Sequence, residues 1–170
     1  FTGKPYIDTR LSFYSFIPNI ISEKTSKKIV NYWSRILISK PYLHDKIEFE
    51  IADGSYDVNT KNKISNHYKF LSKTERKKYH DSLKFLTEFQ IKNFELEFYK
   101  NNKKLIELEN SRIQLVDAYL QKKENFNYLM NNFLIKIKTN GIVPFAKYAR
   151  NAFIAKKFLI SLKENNYISL

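Results

Sequence analysis

The sequence predicts an α+β domain that is mostly helical, with a small N-terminal antiparallel sheet packed on a helical bundle that includes a long helical hairpin. Strand-like alternation of polar and apolar residues is confined to the first third of the chain. The chain has only 3 Gly and 4 Pro, and no glycine lies between Gly54 and Gly141, which favours long helices over a sandwich or barrel. At 170 residues, with 43% hydrophobic residues, we expect one domain over 1–170.

The first two elements are predicted to be a strand and a helix. Residues 5–18 are expected to be extended, because Tyr6, Asp8, Arg10, Ser12 and Tyr14 would share one strand face. Ser22 is expected to cap a helix over 23–39, which Pro41 would stop. The apolar stripe of this helix is Ile29, Val30, Trp33, Ile36 and Leu37.

The remaining strands are predicted around a tight turn. Ile47, Phe49 and Ile51 alternate with acidic residues, which is typical of a half-buried strand. Asp53-Gly54 would turn the chain, and Ser55–Val58 would return as a second strand of the antiparallel sheet.

Long helices are predicted for the rest of the chain. Ser72 and Glu75 form a capping-box pattern before a run without Pro or Gly that is too long for one helix. We expect a break at Asn101-Asn102 or near 125–127, which gives an antiparallel hairpin. Gly141 would end the hairpin as a left-handed cap, and Pro144 would open the last helix. The predicted apolar side of that helix is Phe145, Ala149, Ala152, Phe153, Leu159 and Leu162.

Composition excludes several classes of protein. There is no cysteine, and the three histidines lack metal-ligand spacing, so we expect no metal ligands. A phosphate-binding glycine loop and a nucleophile elbow are both missing, so we predict no catalytic residues. Without a signal peptide or a membrane-spanning run, we expect a cytoplasmic chain. Its start at Phe1, without methionine, suggests a fragment of a longer polypeptide.

The net charge of +13 has two interpretations. It is typical of binders of nucleic acid, acidic membrane surfaces or phosphorylated ligands. It also fits a solvated basic surface, because lysines are spread through nearly every segment and only five residues are arginines.

Seven residues are candidates for binding a small polar ligand. Arg10 would grip a carboxylate or phosphate, or else pair with Asp8 or Glu48. Glu48 and Glu50 would project from one strand face, where paired acids can bind a metal or an ammonium group or serve as acid and base, or else they would simply be exposed. The other candidates are Ser12, Ser15, His44, which is otherwise a surface or capping group, and Arg150.

Aromatic residues interleaved with lysines have two readings as well. At helical spacing they are expected to belong to the core rather than to a platform for stacking bases. The residues in question are Tyr79, Phe85, Phe89, Phe94 and Phe98.

Three segments resemble the middle region of phosphoenolpyruvate synthase-like proteins of the pyruvate phosphate dikinase superfamily. They are residues 3–18 (GKPYIDTRLSFYSFIP), 43–50 (LHDKIEFE) and 141–155 (GIVPFAKYARNAFIA). Within that superfamily they are most similar to the L-glutamine kinases of capsule phosphoramidate biosynthesis. Residues 59–138 contribute nothing to the resemblance.

The resemblance implies a central domain between an ATP-grasp domain and a phosphohistidine domain of the same polypeptide. In such enzymes ATP phosphorylates the histidine, which passes the phosphoryl group to an acceptor such as the L-glutamine side-chain amide. ATP and Mg²⁺ would serve the full-length enzyme, with no cofactor in this fragment. Arg10 with Glu48 or Glu50 would then hold a zwitterionic amino acid, Ser12 and Ser15 an amide or phosphoryl oxygen, and Arg150 a phosphate or a domain interface. The alternatives are a non-catalytic spacer or docking domain, and a basic helical binder of nucleic acid or membrane surfaces.

Overall fold

The fold was obtained as a computed structural model that describes Gly3 and residues 7–122 and 125–169. It is 77% helical, and no strand occurs among the described residues. The predicted α+β class is therefore wrong, and the chain is all-helical. It divides into two compact units, Phe1–Phe89 with Phe153–Leu170, and Gln90–Ala152.

Seven α-helices account for most of the described residues. They are α1 (Thr9–Tyr14), α2 (Glu23–Ser39), α3 (Thr60–His67), α4 (Lys73–Lys92), α5 (Phe94–Leu120), α6 (Phe126–Lys136) and α7 (Val143–Glu164). A 3-10 turn covers Pro41–Leu43, and π-helical segments cover Ile47–Ile51 and Ile137–Ile142.

The predicted first strand is a short helix. Residues 5 and 6 of that prediction lie outside the described residues, and the rest contains α1. Asp8 is its N-cap, since Oδ1 accepts hydrogen bonds from the backbone N–H groups of Arg10 (2.9 Å) and Leu11 (3.3 Å). Phe13 is fully buried, with its ring centroid 5.7 Å from that of Trp33. An aspartate cap and a buried aromatic therefore outweigh the strand-like alternation.

The second predicted strand is also helical, because it has no strand partner. Ile47–Ile51 forms a π-helical turn in which the Ala52 N–H bonds to the Ile47 carbonyl at 2.7 Å. The segment Ser55–Val58, predicted to return as a strand, forms hydrogen bonds to side chains instead, since the Tyr56 N–H donates to Thr87 Oγ1 at 2.9 Å. The sheet is therefore absent from this described region, and residues 52–59 form an irregular loop.

The predictions for the first long helices are confirmed. Helix α2 has the predicted bounds, and Ser22 Oγ accepts from the Thr25 N–H. The Ser72–Glu75 capping box forms with both of its bonds, at 2.8 and 3.1 Å. The core of the first unit is Phe13, Ile17, Ile21, Ile29, Val30, Trp33, Ile51, Ala52, Ile64, Tyr68, Leu71, Tyr79 and Leu83.

The predicted helical hairpin is present in the second unit. Helix α5 packs against α6 and the π-helical segment that follows it. Lys136 Nζ donates to Ser111 Oγ at 2.7 Å, and Tyr148 OH donates to Asn102 Oδ1 at 2.9 Å, so the returning chain runs antiparallel to α5. A break near 125–127 is confirmed, whereas residue 101 lies within α5.

Gly141 is not the predicted left-handed cap. The chain remains helical from the π-helical segment into α7, and Gly141 is not among the residues with positive φ. A Cβ at this position would lie 3.1 Å from Leu108 Cδ2. The glycine therefore permits close packing against α5 rather than a turn.

Candidate functional site

The candidate residues on α1 and after it make local contacts. Ser12 Oγ donates to the Asp8 carbonyl at 3.2 Å, and Ser15 Oγ donates to the Ser12 carbonyl at 2.7 Å. Asp8 bonds to backbone N–H groups at the helix start, and Arg10 is exposed. These contacts stabilise the short helix itself.

The acidic candidates no longer share a face. Glu48 is half-buried and Glu50 is exposed on the π-helical turn, where residues two apart point in different directions. Within residues 7–122 and 125–169, no hydrogen bond or ion pair joins either one to Arg10. His44 Nδ1 lies 3.1 Å from the Pro41 carbonyl, which is the capping role left open by the sequence.

Two of the segments that carry the family resemblance meet in the first unit. The ring centroids of Phe49 and Phe153 are 5.2 Å apart in an edge-to-face arrangement. Lys156 Nζ lies 4.1 Å from the Phe49 ring centroid, a cation–π contact. Arg150 belongs to the second unit, is half-buried, and has its pKa lowered by that burial. The described contact between these two segments is therefore the Phe49–Phe153 pair, which includes none of the seven candidates.

A buried polar cluster in the first unit is more organised than the predicted site. We call it the Asp53 network. It fixes the loop over residues 52–59 to α2, α4 and α7 and to the residue that follows α3. Its members are Trp33, Ala52, Asp53, Tyr68, Tyr79 and Lys157.

Hydrogen bonds connect the network in a chain. Trp33 Nε1 donates to Tyr68 OH at 2.9 Å, and Tyr68 OH donates to Asp53 Oδ2 at 2.7 Å. Tyr79 OH donates to the Asp53 backbone carbonyl. Lys157 Nζ donates to the Ala52 carbonyl at 2.8 Å. Two successive backbone carbonyls of the loop are thereby satisfied by side chains from two different helices.

Burial dominates the electrostatics of the Asp53 network. Lys157 is 8% exposed, and desolvation lowers the pKa of its ammonium group, while the Asp53 carboxylate opposes that shift. Desolvation also raises the pKa of Tyr68 and Tyr79 well above the ordinary tyrosine value, with the charge of Asp53 acting in the same direction. Both phenols therefore remain neutral donors across the physiological range.

The network stabilises the fold and leaves no room for a substrate. Tyr79 is 0% exposed and Tyr68 is 1% exposed, so a ligand has no surface by which to reach either hydroxyl group. Each hydroxyl group already donates to a protein acceptor. Across the described residues there is also no group of three or more His, Cys, Asp or Glu that would hold a metal ion.

The second unit presents an exposed apolar line on α5. Tyr99, Ile106, Ile113 and Leu120 recur every seven residues and are 73%, 63%, 53% and 72% exposed. We call this line the α5 seam. Seven-residue spacing places apolar side chains along one side of a helix, as in coiled coils.

The α5 seam lies opposite the packed face of the same helix. Leu108 contacts the return chain at Gly141, and Leu115 is 8% exposed. The seam residue Ile106 precedes Leu108 by two positions, which is about 200° around a helix of 3.6 residues per turn. Helix α5 is therefore apolar on two sides, although an amphipathic helix at a protein surface normally has one polar side.

Sequence reasoning missed both the Asp53 network and the α5 seam. Ile154, Lys157 and Ser161 are 6%, 8% and 1% exposed, at the i, i+3, i+7 spacing of one helix face. The predicted apolar side of α7 instead included Phe145, which is 71% exposed. The heptad spacing of the seam was visible in the sequence, but it is interleaved with a second apolar line on the same helix.

The aromatic residues expected in the core divide unevenly. Tyr79 is fully buried, whereas the other four are exposed by 43% to 68%. The prediction of core packing is therefore wrong for Phe85, Phe89, Phe94 and Phe98.

These observations define an all-helical protein with a closed polar interior and an open apolar helix face. No helix in the part of the chain that the structure describes is long and apolar enough to cross a membrane. Comparisons with protein-family models, with curated proteins and with solved structures found no match to this chain. The resemblance to phosphoenolpyruvate synthase-like proteins therefore stays a prediction.

Proposed function

We propose that this chain is the central docking domain of an ATP-dependent phosphohistidine-relay kinase. The enzyme phosphorylates a small acceptor, such as the L-glutamine amide, in capsular polysaccharide modification. The kinase class rests on the resemblance of residues 3–18, 43–50 and 141–155, and the docking role rests on the α5 seam. Such an ATP-dependent enzyme would act in the cytoplasm.

The α5 seam is the observation that favours docking over acceptor binding. Exposed apolar residues that recur along one side of a helix are typical of a surface that packs against another helix. The occupant we propose is a helix of a neighbouring catalytic domain, since heptad spacing matches an apolar line on another helix. The acceptor-binding role would instead need Arg10 close to Glu48 or Glu50, and no described contact joins them.

The nucleotide chemistry belongs to other domains in this proposal. The resemblance implies that ATP and Mg²⁺ bind to the ATP-grasp domain and that the phosphorylated histidine belongs to the phosphohistidine domain. The chain would therefore position the ATP-grasp and phosphohistidine domains and take no direct part in phosphoryl transfer.

Charge insertion on the seam tests the docking role in the complete polypeptide that carries this chain. The double variant Ile106→Lys with Ile113→Lys should lower L-glutamine-dependent AMP production at least about tenfold, because a docked charge would cost more than about 1.4 kcal/mol. The matched control is Ile7→Lys with Ile38→Lys, since these residues are 80% and 77% exposed in the other unit. Equal activity in the two variants would contradict docking through the seam.

Sedimentation of the isolated chain separates docking from self-association. We expect a monomer at micromolar concentration. A dimer that Ile106→Lys dissociates would mean that the seam binds a second copy, and it would overturn the assignment of a neighbouring domain as its occupant.

Calorimetry with L-glutamine separates docking from acceptor binding. We expect no saturable heat for the isolated chain, because no described hydrogen bond or ion pair joins Arg10 to Glu48 or Glu50. Saturable 1:1 binding that Arg10→Ala or Glu48→Gln abolishes would favour the acceptor site instead.

A further inference from the structure

A groove between α3 and the first half of α4 concentrates positive charge. Its volume is about 420 Å³, and its lining includes the side chains of Lys61, Lys73, Arg76, Lys77 and His80. The groove lies within the first unit and shares no residue with the Asp53 network.

The helical spacing gathers these cations on one side of α4. Lys73, Arg76, Lys77 and His80 occupy positions i, i+3, i+4 and i+7, which lie on one face. Lys61 contributes from α3 on the other side of the groove. The four α4 side chains therefore converge on the same space.

Contacts to the protein orient the two half-buried members. Arg76 Nη1 donates to the Ser65 carbonyl on α3 at 3.4 Å, so its guanidinium spans the groove. His80 Nδ1 lies 2.9 Å from Asp81 Oδ1, and the His80 ring meets Tyr56 edge to face at 5.6 Å. A ligand would therefore meet side chains that are already positioned.

The positive charge of the groove is only partly compensated. Asp81 lines the groove and contacts His80, so four permanent cations face one carboxylate. Glu75 is nearby in sequence, but its carboxylate accepts from Lys28 Nζ at 2.7 Å and from the Ser72 N–H at 2.8 Å. The groove therefore carries an excess of cations toward solvent.

The size of the groove suits a small molecule. A volume of about 420 Å³ falls within the range of small-molecule sites, about 300–1,000 Å³. Arginine and lysine together are typical of phosphate recognition.

We propose that this groove binds a small molecule that carries two or more phosphate groups. One orthophosphate would engage only some of the three cations on α4 and Lys61 across the groove, whereas a diphosphate would reach more of them. This binding does not depend on the kinase proposal, because it follows from the groove alone.

Titration calorimetry of the full 170-residue chain with inorganic pyrophosphate tests the groove. We expect saturable 1:1 binding that is at least about fivefold tighter than that of orthophosphate and that weakens as salt rises from 50 to 150 mM. Arg76→Gln with Lys77→Gln should weaken it at least about tenfold, since two charge-assisted contacts are lost. The control Lys84→Gln with Lys92→Gln removes the same charge from α4 outside the groove lining and should change the affinity less than twofold.

A second variant separates lost binding from lost folding. Lys61→Gln with Lys73→Gln changes two exposed lysines at the rim, so its helical circular dichroism should match that of the wild type while pyrophosphate binding falls. Three results would overturn the proposal. They are no saturable binding of pyrophosphate, equal weakening by the control variant, and binding of a 20-nucleotide DNA or of anionic vesicles that is tighter and survives both groove variants.

Discussion

Replacing Tyr68 with phenylalanine should destabilise the first unit, because this hydroxyl group is the centre of the Asp53 network. Tyr68→Phe keeps the ring and its packing, so it opens no large cavity. It removes a hydrogen bond to the Asp53 carboxylate and the acceptor of Trp33 Nε1–H. Both aromatic residues are at most 1% exposed, so water cannot replace the lost acceptor at Trp33.

The expected loss follows from these two contacts. A hydrogen bond to a charged group contributes about 1.5–3 kcal/mol, and an unsatisfied buried donor costs about 1–3 kcal/mol. Asp53 is only half-buried, so water will recover part of the first contribution. We therefore expect a loss of about 3 kcal/mol, which is a large fraction of the 5–15 kcal/mol typical of a folded domain.

Urea unfolding followed by tryptophan fluorescence measures this loss directly. Trp33 is the only tryptophan and lies beside the altered hydroxyl group, so it reports on the first unit. With a slope of about 2 kcal/mol/M, the midpoint should fall by about 1.5 M without a change in slope. The control Tyr42→Phe removes the same atom from a residue that is 69% exposed and should shift the midpoint by less than about 0.3 M. A Tyr68→Phe shift no larger than the control shift would refute the reasoning.

Three further predictions test other parts of the fold. Burial lowers the pKa of Lys157 below its ordinary value of 10.5, so the unfolded chain binds more protons than the folded chain between the two pKa values. The stability of the wild type relative to Lys157→Met should therefore rise with pH over that interval. A difference in urea midpoints that does not change with pH would contradict this prediction. Hydrogen bonds from its lysine partner and from the cap lower the pKa of Glu75 from 4.5 to about 2, so its stabilisation is present above pH 4.5 and is lost as pH falls toward 2. Glu75→Gln keeps the cap and should cost less than about 1 kcal/mol at neutral pH, with a flatter acid profile in circular dichroism; an unchanged profile would count against the ion pair. Gly54→Ala places a Cβ 3.1–3.3 Å from side-chain and backbone atoms of Phe16 and should lower the free energy of unfolding by about 1–3 kcal/mol, measured by thermal unfolding. Gly141→Ala meets only a side-chain methyl group and should lower it by less than about 1 kcal/mol. Equal losses for the two variants would show that the close approach at Gly54 is unimportant.

Helix ends with local signals were predictable from the sequence. Ser22 before α2 and the pair Ser72–Glu75 before α4 each act through backbone groups within three residues. The apolar stripe around Trp33 has the spacing of a single helix face. Such signals depend on neighbours in sequence, so no tertiary information is needed to interpret them.

The predicted sheet failed because alternation alone does not provide a partner strand. Ile47–Ile51 alternates as a strand would, but backbone N–H groups of Ser55–Val58 bond to side chains on α3, α4 and α7. A segment without a strand neighbour satisfies its backbone groups internally, here as a π-helical turn. Ile51 is nevertheless buried in the helical core, and Ile47 packs against that core.

The Asp53 network was beyond sequence reasoning because its members are distant in the chain. Tyr68, Tyr79 and Lys157 come together only when α4 and α7 both pack against the loop after Ile51. A buried lysine on an apolar helix face contradicts the usual rule that lysines are exposed. Its hydrogen bond to the Ala52 carbonyl explains the exception.

The native protein provides the most direct test of the proposed function. An antibody raised against residues 1–170 should isolate from cells a protein much larger than 20.4 kDa. Incubated with ATP labelled in its β- and γ-phosphates, that protein should acquire an acid-labile, alkali-stable phosphohistidine, and L-glutamine should discharge it. A native protein of about 20 kDa, or a large one that acquires no acid-labile phosphate, would contradict the assignment to a phosphohistidine-relay kinase.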